Sequence, residues 1–136
     1  AIFSEGNSIE IFEILNTKVG LSTCYDLRFP ELYIALVLKG AEIIIVSAGW
    51  PEERIQHWEI LLAARAIESQ AFVIGCNSTG ECNNIQLGAN SRVIHPKGFS
   101  IPAIEKSGIL TYSIDLLDVK GLRKSFPMLG DRKIFN

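Results

Sequence analysis

No run of basic residues occurs anywhere in the 136-residue chain: its 13 lysines and arginines are scattered among 15 acidic residues, for a net charge of -2. Such a surface offers no footprint for a phosphate backbone, which excludes nucleic acid as an expected partner. No apolar stretch approaches the roughly 18 residues that cross a bilayer. The first residues also lack the basic-then-apolar order of an export leader. The expectation is a soluble, cytoplasmic protein with no membrane partner. Cysteine is scarce and odd in number: Cys24, Cys76 and Cys82. Three thiols make no disulfide framework and fit a reducing compartment, and Cys76 and Cys82 lack the close double spacing of a zinc site. No metal or organic cofactor is implied.

What is present suffices for a core. Hydrophobic residues make up 48% and charged residues 21%, the composition of one globular domain rather than of a disordered chain. The chain opens on Ala1 rather than methionine and soon reaches strand-like sequence, the expected beginning of a piece cut from something longer. Residues 9–14 (IEIFEI) alternate apolar and acidic side chains, which predicts a half-exposed strand, with a turn at Asn16 and Thr17 and a second strand over Lys18 to Cys24. Pro30 suits a first helical turn. Leu32, Ala35, Leu36 and Leu38 then supply an apolar face as far as Gly40.

Residues 42–47 (EIIIVS) predict a strand covered on both faces. From Pro51 to Gln70 the apolar period changes, with Ile55, Trp58, Leu62 and Ala66 on one stripe, so the longest helix is expected there. Residues 72–76 read as a strand and residues 77–90 as a polar loop. Residues 91–95 and 109–114 read as strands joined through Pro96, Lys97 and Gly98. The order of elements predicts an α/β fold, helices packed on a sheet, with no internal repeat or linker.

The informative stretch is KVGLSTCYDLRFPE, residues 18–31. A buried strand delivers Cys24 to its C-terminal end, and a helix starts a few residues later. Side chains at such a strand end emerge into a crevice, where backbone N–H groups at a helix start can hold a developing oxyanion. An unassisted thiol is mostly protonated at neutral pH, so efficient attack needs a neighbouring base or positive charge. Position alone favours the plainer reading of Cys24 as a small apolar residue filling a strand end.

The segments GLSTCYDLRFPEL, GAEIIIVSAGWP, HWEILLAARAIESQAFVIGCNSTG and GANSRVIHPKG together resemble, in order and spacing, the carbon-nitrogen hydrolases of the nitrilase superfamily. The likeness covers nearly the whole chain. It implies that Cys24 is the nucleophile, forming a thioester or thioimidate with a small amide, carbamoyl compound or nitrile. It also implies that the backbone N–H of Tyr25 contributes to the oxyanion hole, that Tyr25 and Trp50 bear on the substrate, with Trp50 at the pocket mouth, and that Arg28 and Glu31 shape the turn. The implied fold is a four-layer α-β-β-α sandwich, of which residues 1–136 would supply a single partial domain. The family's glutamate and lysine precede the cysteine, and only 23 residues do so here. Glu5, Glu10, Glu13 and Lys18 match neither.

The expectation is therefore that this chain alone is inactive. An N-terminal portion, as a second polypeptide, a cleaved piece or absent residues, would complete it. The competing expectation is an inactive remnant serving as a binding or subunit-assembly module. Homodimers are expected through the two helices, with Ile55 and Trp58 as anchors. A dyad of Cys24 with His57 or His95 has no support in the spacing. Arg65 and Glu68 read as a helix-surface ion pair, and residues 77–80 as a turn rather than a substrate contact.

Overall fold

The structure, a computed structural model, describes residues 6 and 8–133; Glu5 lies outside them. Strand β1 (Ile11–Ile14) folds back antiparallel on β2 (Thr17–Thr23), with Ile14 opposite Thr17. The turn is Leu15–Asn16, one residue earlier than expected. Both residues take positive φ (49° and 61°), the geometry of a tight hairpin whose twist matches its strands. Helix α1 (Pro30–Leu38) follows, then β3 (Ile43–Ala48), helix α2 (Ile55–Ser69) and β4 (Phe72–Asn77). Strands β2, β3 and β4 are parallel neighbours. The central sheet ends with β7 (Arg92–Ile94), antiparallel to β4, in the order β1-β2-β3-β4-β7.

Each helix is terminated by backbone chemistry. Proline opens α1, where its missing N–H costs nothing. Gly40, at φ 97°, closes it as its N–H reaches the Val37 carbonyl at 2.8 Å. In α2 the closing left-handed residue is Gln70, with φ 46°. The faces of α1 that pack are Tyr33, Leu36 and Val37, while Leu38 is exposed, a correction to the expected stripe. Trp58, Leu62 and Ala66 of α2 pack as the periodicity predicts, in one cluster with Ile44, Val46 and Val73 of the sheet. At Gly75 the helix and sheet touch so closely that a Cβ would fall 2.6 Å from Leu62 Cδ1 and 2.7 Å from Trp58 Cζ2.

The other sheet face is covered unevenly. At one end Phe72 and Val93 are sealed by Val119, with Tyr112, Ile114 and Leu116 packed alongside. At the end where β2, β3 and β4 finish, Leu21, Ser47 and Cys76 are exposed and Ile45 and Ile74 half-buried. The described residues thus form one sheet layer, with α1 and α2 on one face and the C-terminal segment over part of the other.

Three expectations are corrected. Residues 77–90 are not a loop: β5 (Thr79–Cys82) and β6 (Ile85–Gly88) form a hairpin around Asn83 and Asn84, both at positive φ. The strand expected over residues 109–114 is only β9 (Ile109–Thr111), paired with β8 (Ile104–Lys106) away from the central sheet. An unexpected helix, α3 (Leu117–Ser125), follows. Arg123 ties it down by donating to the carbonyls of Ala41 (2.7 Å), Gln70 (3.1 Å) and Ser69 (3.3 Å).

Candidate active site

Because β2, β3 and β4 are parallel and in register, with Thr23 beside Ser47 and Ala48 beside Asn77, their C-terminal ends share one edge of the molecule. Cys24 is the first residue past β2 and starts a short 3-10 helix, Cys24–Arg28. It takes φ 43°, a left-handed conformation that non-glycine residues rarely adopt. Asp26 steadies the entry to this turn, its carboxylate accepting the Thr23 backbone N–H at 3.0 Å. The first N–H groups of a helical turn have no partner inside it, and that of Tyr25 is among them.

Cys24 lines a cavity of about 330 Å³ together with Tyr25, Arg28, Trp50, Pro51 and Arg54. Trp50 is 2% exposed, so it forms a wall of the cavity rather than its mouth. The guanidinium of Arg28 lies 4.8 Å from the Trp50 ring centre and 5.8 Å from that of Tyr25, cation–π distances that place positive charge at the cavity. Arg54 pairs with Glu53. Asn77 fixes Trp50 from behind: its Oδ1 accepts the Trp50 backbone N–H at 2.6 Å, and its Nδ2 donates to the carbonyls of Trp50 (3.2 Å) and Ala89 (2.7 Å).

The profile of the carbon-nitrogen hydrolase family matches residues 1–124. The chain belongs to that family. It is 44% identical over 115 residues to a 2-oxoglutaramate amidase of Paenarthrobacter nicotinovorans, a match over 84% of this chain and 39% of that protein. It is 39% identical over 132 residues to a deaminated glutathione amidase of Escherichia coli O157:H7, over 94% of this chain and 49% of that one. Among solved structures, a CN-hydrolase superfamily protein of Xanthomonas campestris, described with an arsenic adduct in its active site, superposes with a TM-score of 0.86 at 26% identity. That match covers 98% of this chain and 54% of the other. The chain spans between two fifths and about half the length of these relatives.

Within this carbon-nitrogen hydrolase fold, Cys24, Tyr25 and Trp50 line one cavity, and Arg28, expected only to shape the turn, lines it too. Glu31 is exposed on α1. Lys18 is exposed near the far end of β2 and reaches the Lys39 carbonyl at 3.4 Å. Neither histidine lines the cavity: His57 is exposed, and His95 stacks on Phe99 at 4.4 Å and faces Asp118 at 3.3 Å. Cys24, Cys76 and Cys82 are all free thiols. Among the described residues no helix is long and apolar enough to cross a membrane.

Three expectations about α2 and its neighbours are corrected, although Arg65 and Glu68 do pair, at 2.9 Å. Trp58 is fully buried and donates its indole N–H to the Asn90 carbonyl at 3.0 Å, so it cannot anchor a dimer, and Ile55 packs inward under Gly88. Arg65 is no surface residue. Only 5% exposed, it donates to the Leu27 carbonyl through Nε (3.0 Å) and Nη2 (2.8 Å). Asn77 belongs to β4, not to a turn. The structural roles of Asn77 and Arg65 escape sequence reasoning because their partners lie 27 and 38 residues away.

Proposed function

We propose that this chain carries the nucleophile of an amidase acting on a small amide. The observation that carries this reading is Cys24 itself, a thiol at the end of a parallel strand, on the first residue of a helical turn, lining an open cavity. The sulfur adds to the amide carbonyl carbon while the Tyr25 backbone N–H receives the oxyanion. Collapse of that adduct breaks the C–N bond, the amine leaves with a proton, and a thioester remains. Water then adds to the thioester, releasing the acid and restoring the thiol. Trp50 and the Tyr25 ring bound the substrate. The guanidinium groups of Arg28 and Arg54 suit an amide that also bears a carboxylate, in keeping with the names of the amidases it resembles. A carbamoyl compound or nitrile would use the same addition.

The proton transfers in this scheme need a base and an ammonium group. Among the described residues, no carboxylate or lysine lines the cavity. We assign those roles to a glutamate and a lysine on a complementary portion, which would also lay a second sheet over Leu21, Ile45 and Ile74 to complete a four-layer sandwich. Without it this chain has no turnover. Self-association through α2 is part of the same reading, with exposed Ile60 and Ile67 replacing Trp58 as anchors.

Alkylation by iodoacetamide tests the central claim. Cys76 and Cys82 are exposed, whereas Cys24 is half-buried, so exposure alone would make Cys24 the slowest to react. In the site assembled with its complementary portion, Cys24 is expected to react at least about tenfold faster than either, since a neighbouring base and ammonium group activate a thiol. Equal or slower labelling of Cys24 would favour an inactive assembly module instead.

A further inference from the structure

Outside the cavity, one buried charge has no part in the scheme above. Arg65 projects from the middle of α2, and both of its bonds to the Leu27 carbonyl fall on the turn that starts at Cys24. Its third donor group reaches Glu68 Oε1 at 2.9 Å, and its guanidinium carbon lies 5.2 Å from the Tyr33 ring centre. Tyr33 in turn shares a hydrogen bond of 2.5 Å with Ser22, two residues before the cysteine. The chain is therefore tied to helices on both sides of Cys24: to α1 through the Ser22 side chain, and to α2 through the Leu27 backbone carbonyl.

Burying a guanidinium is costly unless every donor is used, and removing one partner of such a group is strongly destabilising. A helix needs no such residue to pack against a sheet. Spending both a charge and two converging donors on one carbonyl fixes the position and tilt of that peptide, as a planar fork does and a single ammonium does not. The peptide in question lies within the single turn that also sets the direction of the Cys24 thiol and of the Tyr25 N–H.

We infer that Arg65 is a positioning residue for the Cys24 turn. It touches neither substrate nor reacting atoms. It holds the turn so that the sulfur and the Tyr25 N–H converge on one point, with Glu68 fixing the plane of the fork. The inference rests on the reading of Cys24 as the nucleophile.

The test is the rate of Cys24 alkylation by iodoacetamide in the chain assembled with its complementary portion, site-resolved by mass spectrometry, in wild type, Arg65→Lys and Arg65→Gln. The lysine keeps the charge and loses the fork. The glutamine keeps one donor for the Leu27 carbonyl and removes the buried charge, leaving Glu68, one third exposed, to water. Misplacement of a reacting group by about 1 Å costs up to about a hundredfold. Alkylation of Cys24 is expected to slow about tenfold or more in both variants, while Cys76 and Cys82 react at unchanged rates and thermal melting stays cooperative. A folded variant with wild-type labelling of Cys24 overturns the inference. If Cys24 in the wild type is no faster than Cys76 and Cys82, the nucleophile reading itself fails, which is a separate outcome.

Discussion

Tyr33 shows how much of the site depends on groups that meet no solvent. Burial pushes its phenol from the ordinary value of 10.0 up to about 12, against the opposing pull of the Ser22 hydrogen bond and the Arg65 charge. In the unfolded chain the phenol ionises near its ordinary value, so between pH 10 and 12 the unfolded state gives up a proton that the folded state keeps. The contribution of Tyr33 to stability is fully present below pH 10 and is lost as pH rises toward 12, by roughly 2 to 3 kcal/mol in all. Denaturant unfolding across that range should show the fall, and Tyr33→Phe should flatten it. Asn77 supports the cavity wall differently, by pairing both backbone groups of Trp50. Asn77→Ala leaves the Trp50 N–H without its partner in a part-buried place, while the Trp50 carbonyl keeps the Gly88 N–H at 2.9 Å, and is expected to cost about 1 to 3 kcal/mol. A shift in tryptophan emission would report the movement of Trp50.

At the level of elements, α2 is pressed onto β4 at Gly75, where no side chain fits between strand and helix. Gly75→Ala should destabilise the chain by about 1 to 3 kcal/mol through overpacking, measured as a lower urea midpoint with an unchanged slope. The elements that carry Cys24 were legible in the sequence: the run through β2, the proline before α1, the apolar β3 and the stripe of α2 each have a period or a punctuating residue. The hairpin of β5 and β6 was not, because Thr79 to Gln86 are exposed throughout and so show no alternation between buried and exposed faces. Helix α3 was equally hidden, having Val119 as its one buried residue and being held by Arg123 reaching carbonyls more than 50 positions away. Cys24, Tyr25 and Trp50 could be found by motif, whereas the function of Arg65 emerges only when α2 meets the turn.

At the scale of the whole molecule, the described residues leave the sheet with one face under α1 and α2 and another that is sealed at one end and open at Leu21, Ser47 and Cys76 at the other. Apolar surface of that kind drives association. The 136-residue chain is therefore expected to self-associate at micromolar concentration in sedimentation velocity, and Leu21→Ser, on the bare half, to shift it toward monomer. No change on substitution would mean that this half of the sheet takes no part. The same asymmetry divides the time-dependent behaviour of the strands. Amide protons at Ile43 and Phe72, beneath the C-terminal segment, should resist exchange with heavy water as long as the chain stays folded. Those at Ser47 and Cys76, one strand length away in the same ladder, should exchange through small local openings. The end of the sheet that presents the sulfur is thus its most easily opened end, and whatever covers it in a working enzyme must also quiet that breathing.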